Sequence, residues 1–277
     1  MLSKFILLLL SSLFSFQSVA NPIALDFNAS PQLSATSAIS YDLNSQTISF
    51  QKNIHQKLPI ASLTKLMTLY IIMNENDLDE EVIITQKHID VPGSKANLKA
   101  NTSYSVLELI KASLLNSSNQ AAMALAEYNA ENEKKFVEKM NKYAKKLKLD
   151  NTSFANPMGF DDNENYSTVY DLTKLTLAIQ KFKPIIDIAN KPEITIKNNK
   201  NQSTKLKNTN HQLQNALGLN GLKTGTTPNA GQCFIGITSG PKKIITIVLN
   251  SKNRFLDTNT LIEYNSNFIY NDIISSL

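Results

Sequence analysis

Ser62-Leu63-Thr64-Lys65 sets a hydroxyl and an amine three residues apart at the head of an apolar run. If that run is a helix, both side chains lie on one face and the amine reaches the hydroxyl. A serine beside a neutral lysine is a nucleophile beside a base. Ser117-Ser118-Asn119 adds a second hydroxyl and a carboxamide, and Lys223-Thr224-Gly225 adds a cation, a hydroxyl and a residue without Cβ. Together these are the parts of a nucleophile, a base, a proton relay and an anion-binding strand. The set suits acylation of a serine by a peptide that carries a carboxylate.

Each motif also has a plainer reading. Ser-x-x-Lys occurs at Ser49, Ser62 and Ser239. Ser49 falls in a strand, where residues three apart face opposite sides, and Ser239 shares a turn with Pro241. Ser62 alone heads a helix, yet serine is a common helix cap. Ser-x-Asn occurs at Ser117 and Ser251, the second just after a strand. Ser117 sits between two helical segments and could cap the one that follows. Lys-Thr-Gly occurs once, and it runs directly into the turn signal Thr226-Thr227-Pro228-Asn229. The three in this order and these contexts favour chemistry.

The elements that must hold them are legible as periodicities. Ile39, Tyr41 and Leu43, then Ile48 and Phe50, alternate around Asn44-Ser45 and predict a hairpin over 38–50. Leu66, Leu69, Tyr70 and Met73 recur at helical spacing from Ser62. Ser105-Val106-Leu107-Glu108 and Thr168-Val169-Tyr170-Asp171 read as capping boxes, opening helices to Leu115 and to about Lys181. Residues 119–128 form an alanine-rich helix. Phe136, Val137, Met140, Tyr143, Ala144 and Leu147 trace one helical stripe, with Glu131 and Glu133 before it and Lys145, Lys146 and Lys148 at its end. Residues 231–238 and 243–250 read as strands joined by Ser239-Gly240-Pro241. Leu261, Ile262, Tyr264, Phe268 and Ile269 suggest a closing helix. Two N-terminal strands, a helical middle and C-terminal strands share one core most simply as an antiparallel sheet with helices on its faces, first and last segments paired.

Composition narrows the class further. Residues 1–20 read as a secretory signal peptide, with Lys4, an apolar run and the small-residue site Ser18-Val19-Ala20. The run is too short to span a bilayer, and no other segment looks like a membrane span. The net charge of +5 suits an anionic envelope, but Lys145-Lys146 and Lys242-Lys243 are too short for a nucleic-acid footprint. Cys233 is the only cysteine, so no internal disulfide forms, and its apolar setting predicts a buried strand thiol. His55, His88 and His211 show no metal-ligand spacing and read as structural. No metal or cofactor is expected.

The motifs and their surroundings resemble the serine D-Ala-D-Ala carboxypeptidases, within the penicillin-binding protein and serine β-lactamase superfamily. Residues 59–68, Asn156-Pro157-Met158-Gly159-Phe160, Asn208-Thr209-Asn210-His211 and 221–225 are similar to further family segments. The resemblance runs from about residue 38 to the C-terminus. It implies an α+β fold, in which helices flank a five-stranded antiparallel sheet and an all-helical subdomain forms the other wall of the cleft. It divides the chain into a signal peptide at 1–20, an N-terminal extension at 21–36 and a catalytic domain at 37–277.

The resemblance implies that Ser62 attacks the D-Ala-D-Ala bond with Lys65 as base. Lysine ordinarily titrates near ~10.4, and reaching ~7 would take about 4 kcal/mol from burial and from Lys223. Ser117 is the implied relay, and Asn119 the group that holds Lys65 and the substrate amide. Lys223, Thr224 and Gly225 bind the terminal carboxylate, and the amides of Ser62 and Thr226 form an oxyanion hole. Arg254 either assists the carboxylate or serves the surface. The implied partners are peptidoglycan stem peptides and, as covalent inhibitors, β-lactam antibiotics, in the periplasm or cell envelope. Three other readings stay open. The chain's shortness is similar to that of DD-endopeptidases. A β-lactamase shares the motifs, but the larger class has a Glu-x-x-Leu-Asn loop, absent from 153–157, and Glu164 is only the closest acid. A non-catalytic peptidoglycan-binding protein could keep the same cleft.

Overall fold

The computed structural model describes residues 30–213, 217–240 and 242–275, with side chains through 266. The expected signal peptide and the extension up to residue 29 lie outside the described residues. β1 (Ser37–Asp42) and β2 (Thr47–Lys52) make the predicted hairpin. Asp42 Oδ1 closes its turn by accepting from the Asn44 and Ser45 amides at 2.7 and 3.1 Å. β3 (Leu58–Pro59) leads into a 3-10 turn at Ala61–Thr64 and then α1 (Lys65–Glu75). Periodicity places Ser62 in the first turn of a regular helix, whereas it occupies this tighter turn ahead of α1. The helical half also contains β4 (Glu81–Ile84), α2 (Gln86–Asp90) and β5 (Thr102–Ser105), and β4 pairs with β5.

α3 (Val106–Leu115), α4 (Asn119–Ala130) and α5 (Glu133–Lys146) follow. The α5 stripe buries Phe136, Met140 and Ala144 as its spacing requires. Ser105 accepts from the Glu108 amide at 3.2 Å, but the Glu108 carboxylate turns to Lys111 and to the Lys197 amide. Only half of that capping box forms. β6 (Tyr166–Ser167) pairs with β3, and α6 (Val169–Ile179) opens in the same half-box fashion. Thr168 accepts from the Asp171 amide, while the Asp171 carboxylate takes the Asn151 amide and the Thr152 hydroxyl. α7 (Lys183–Ala189) and the hairpin of β7 (Glu193–Lys197) with β8 (Ser203–Lys207) complete this half.

β9 (Leu219–Thr227), β10 (Gly231–Thr238), β11 (Ile244–Ser251) and α8 (Arg254–Ser275) end the chain. The five-stranded sheet has the order β2-β1-β11-β10-β9, antiparallel throughout. First and last strands pair as expected, from Ser37 opposite Leu249 to Asp42 opposite Ile244. β11 is central and buried on both faces, which explains its nearly unbroken apolar run. One face, with Ile39, Ile235, Ile245 and Ile247, joins the main core under the helices. Ala38, Phe234 and Val248 on the other face pack with Leu261 and Ile262 of α8.

The Asp257 carboxylate pins the segment before β1. It accepts from the Ser34 and Ala35 amides at 2.9 and 2.8 Å, and from the Ser34 and Ser251 hydroxyls at 2.8 and 2.6 Å. The sheet ends at β9, so its free edge and the 3-10 turn can share a cleft. No described helix is long and apolar enough to cross a membrane.

Candidate active site

Lys65 is fully buried, with its Nζ 2.8 Å from Ser62 Oγ. The same amine donates to the Met158 carbonyl at 2.6 Å. Ser62 does not serve as a cap, since the helix starts at the 3-10 turn and at α1 carry no side-chain cap bond. Its hydroxyl stays in the cleft. Burial drives the Lys65 pKa well below the ordinary lysine value, and Lys223 adds repulsion. Both expected causes operate, with desolvation the larger.

The loop at 156–160 aims the Met158 carbonyl. Asn156 Oδ1 accepts from the Met158, Gly159 and Phe160 amides at 3.3, 2.7 and 3.0 Å. Gly159 has φ +90, and a Cβ there would stand 2.0 Å from the Ala61 carbonyl oxygen. Only glycine lets this loop press against the nucleophile turn. Ala61 itself has φ +47. Such a conformation costs a non-glycine residue ~1–3 kcal/mol and persists only where its surroundings enforce it.

Ser117 also adopts a left-handed conformation, φ +62, in the turn between α3 and α4. Capping of α4 falls to its neighbour: Ser118 Oγ accepts from the Ala121 amide at 3.2 Å. Ser117 is therefore released to line the cleft. Asn119 departs from expectation. Its Nδ2 donates to the Pro92 carbonyl at 2.8 Å, so Lys65 is held by Met158 rather than by Asn119. The reason is local, because Gly93 brings the loop so close that a Cβ there would sit 2.4 Å from Asn119 Nδ2.

β9 forms the opposite wall. Its register sets Lys223 opposite Ile235 and Thr224 opposite Phe234, so adjacent side chains leave on opposite faces. Gly225 permits the approach, since a Cβ there would lie 3.0 Å from the Ser62 amide nitrogen. Thr224 Oγ1 donates to Thr209 Oγ1 at 2.7 Å, and the Thr209 amide donates to the Leu115 carbonyl at 3.1 Å. The segment after β8 thus ties β9 to the end of α3. Lys223 is buried, and desolvation, followed by repulsion from Arg254, brings its pKa down to about 7.

Arg254 belongs to the site. Its guanidinium donates to the Gly225 and Cys233 carbonyls at 2.8 and 3.0 Å and to Thr226 Oγ1. Ser62, Ser117, Thr224, Gly225, Thr226 and Arg254 meet in a cleft of about 330 Å³. No carboxylate lines that cleft among the described residues. Ser94, Gln232, Phe255 and His211 line it too, none of them anticipated as site residues. The first three carry no motif. His211, read as structural, adjoins the Asn208-Thr209-Asn210 segment, which was the one available signal.

The other sequence readings resolve simply. His88 is buried, Nδ1 accepting from the Thr85 amide and Nε2 contacting Glu127, while His55 packs on Tyr170. The Cys233 thiol is buried and pushed up to about 11. Among the described residues no cluster could hold a metal. Lys52 and Lys242 of the decoy motifs bond main-chain carbonyls elsewhere, and Ser251 serves Asp257. Glu164 is exposed on the surface.

Residues 25–253 match the family described as D-alanyl-D-alanine carboxypeptidase, Peptidase S11. The chain belongs to this family. It is 32% identical over 214 residues to D-alanyl-D-alanine carboxypeptidase DacF of Bacillus subtilis (strain 168), covering 76% of this chain and 54% of that one. It therefore spans about half the length of that curated relative. It is 29% identical to the D-alanyl-D-alanine endopeptidase of Escherichia coli (strain K12), covering 87% and 79%. Among solved structures, the Streptomyces K15 DD-transpeptidase superposes with a TM-score of 0.81 at 27% identity, covering 87% of this chain and 99% of that one. Penicillin-binding protein D2 of Listeria monocytogenes in its ampicillin-bound form does so at 0.75 and 32%, covering 87% and 99%. The α+β architecture with its five-stranded antiparallel sheet is the fold of these DD-peptidase relatives.

Proposed function

We propose that this protein is a serine D-Ala-D-Ala carboxypeptidase that acts on peptidoglycan stem peptides and is acylated by penicillins. The observation that carries the reading is the buried Lys65 amine 2.8 Å from Ser62 Oγ, at a cleft whose one lysine, arginine or carboxylate lining residue among the described residues is Arg254. The depressed Lys65 pKa supports a neutral amine that can take the Ser62 proton. Ser62 Oγ attacks the carbonyl of the penultimate D-Ala. The C–N bond breaks, and the proton returns through Ser117 to the leaving amine.

Water then attacks the acyl-enzyme by the reverse route, releasing the shortened peptide and free Ser62. Thr224 and Arg254, which line the cleft, receive the terminal carboxylate in a charge-assisted contact, and the buried Lys223 amine adds its positive field. Asn119 holds the substrate amide. The close packing of Gly225 on the Ser62 amide supports an oxyanion hole made with the Thr226 amide. One donor of such a hole is worth about 3 kcal/mol of barrier. In this reading residues 1–20 export the chain, and the domain from 37 onward works in the envelope.

The exposed position of Glu164 supports slow deacylation of penicillin rather than β-lactamase turnover. Labelling by fluorescent penicillin tests the reading. The wild type should take one stable label and release D-Ala from a D-Ala-D-Ala peptide, and Ser62→Ala should do neither. Absence of label from folded wild type would favour a non-catalytic binder, and many fast penicillin turnovers would favour a β-lactamase.

A further inference from the structure

The nucleophile turn and β9 lie far apart in the chain, and the loop of residues 156–165 is hydrogen-bonded to both walls that they form. On the nucleophile side it is held at three points. Lys65 Nζ donates to the Met158 carbonyl at 2.6 Å, Thr68 Oγ1 to the Pro157 carbonyl at 2.8 Å, and Asn165 Nδ2 to Thr64 Oγ1 at 3.3 Å. Asn165 Nδ2 also donates to the Phe160 carbonyl at 3.2 Å, which closes the loop on itself. Asp161, the next residue, turns the other way.

The Asp161 carboxylate reaches the turn between β9 and β10. Its Oδ1 accepts from the Thr227 hydroxyl at 2.5 Å, and its Oδ2 from the Asn229 amide at 3.2 Å. Thr227 Oγ1 in turn accepts from the Ala230 amide at 3.1 Å, so one hydroxyl joins the carboxylate to the turn. Among the described residues these are the only hydrogen bonds between the loop and that turn. Thr227 pairs with Gly231 on the last rung of the β9–β10 ladder, and Thr226 pairs with Gln232 on the rung before it. A continuous path therefore runs from Lys65 through Met158, Asp161 and Thr227 to Thr226.

We propose that Asp161 is a positioning residue for acyl transfer: through Thr227 its carboxylate clasps the β9–β10 turn and sets the Thr226 amide against the Ser62–Lys65 pair. It touches no reacting atom. The proposal rests on the serine peptidase reading, which gives the Thr226 amide to the oxyanion hole, and adds no step to it. Such a hole works only if its donors already stand where the oxyanion will form. The Ser62 amide is placed by its own 3-10 turn, whereas Thr226 sits one rung from the end of β9, where strand pairing restrains it least. Arg254 grips the Thr226 side chain from the α8 side, and the clasp holds the turn from the loop side. The Arg254 guanidinium is fixed by the Gly225 and Cys233 carbonyls, independently of Asp161. Opening the clasp should therefore slow bond-making and leave ground-state binding in place.

The test is a double-mutant cycle on penicillin acylation. Two constants are read, the half-saturating concentration and the limiting rate, each on the fraction of protein that finally takes label. Asp161→Ala and Thr227→Val should each lower the limiting rate by about tenfold, with the half-saturating concentration within about threefold of wild type. The double variant should match the slower single variant within about twofold, because either change opens the same clasp. Thr227→Ser, which keeps the hydroxyl, should restore the wild-type rate. Asp161→Asn, which keeps one acceptor oxygen, should fall between wild type and Asp161→Ala.

Single variants that acylate at the wild-type limiting rate would overturn the clasp even if they melt lower, since a tie that serves stability alone shows only in the melt. So would losses that multiply in the double variant. A loss confined to the half-saturating concentration would make Asp161 a binding group and overturn it too. If Asp161→Ala does not fold, Asp161→Asn with Thr227→Val completes the same cycle. A wild type that takes no label overturns the peptidase reading itself, and the clasp with it.

Discussion

Replacing Gly159 with alanine tests the site's geometry without touching a reacting group. The added Cβ would stand 2.0 Å from the Ala61 oxygen, 2.4 Å from the Ala61 carbonyl carbon and 2.9 Å from the Ser62 nitrogen. Carbon and oxygen rarely approach within 3.0 Å, so loop and nucleophile turn must part by about 1 Å. If the Met158 carbonyl moves with Gly159, its 2.6 Å contact with Lys65 Nζ opens to about 3.6 Å, beyond hydrogen-bond reach. The amine then loses the acceptor that holds it against Ser62.

A misplacement of that size at a catalytic pair costs about 10²-fold in rate. Stability should fall as well, by ~1–3 kcal/mol for alanine at φ +90 and a similar amount for the overlap. The assay is the time course of fluorescent penicillin acylation on folded protein, with a thermal melt beside it. A Gly159→Ala protein that acylates within about threefold of wild type would refute the argument that Met158 positions Lys65.

Lys223→Gln removes a charge that helps hold the Lys65 pKa down. The base is neutral above its pKa and lost as pH falls through it, so less repulsion should move the acid limb of penicillin acylation to higher pH. A pH–rate profile checks this, and a limb that stays or moves down would contradict it. Lys223 itself titrates at about 7 in the free protein, lowered by burial and then by Arg254, so it loses charge as pH rises through that value. A bound carboxylate should pull it back up, and calorimetry at about pH 8 in buffers of different ionisation heat should register proton uptake; binding without uptake would count against this role. Asp257→Ala strands three buried or half-buried donors from the Ser34–Ala35 segment and one from Ser251. The expected loss is about 3 kcal/mol, seen as a melting temperature roughly 6–12 °C lower, with an unchanged melt as the refuting result.

Residue types and local periodicity carried much of this molecule. Alternation around Asn44-Ser45, the α5 stripe and the apolar run of β11 are nearest-neighbour patterns, and each formed as its spacing requires. Ser62 and Ser117 could be chosen over the duplicates of their motifs because helix and strand geometry discriminates among them within a few residues, and Lys-Thr-Gly occurs once. What the sequence could not decide were contacts between positions far apart in the chain. Two half-formed capping boxes show this, since Glu108 and Asp171 found partners beyond their own helices.

The tertiary structure alone assigned the Lys65 amine to the Met158 carbonyl instead of Asn119, and gave the cap of α4 to Ser118 rather than Ser117. It also brought Arg254, Phe255 and His211 to one wall. The physical reason is that a side chain's partner depends on which backbone segments approach within a few ångströms. Here Gly93, Gly159 and Gly225, each lacking a Cβ, set those approaches.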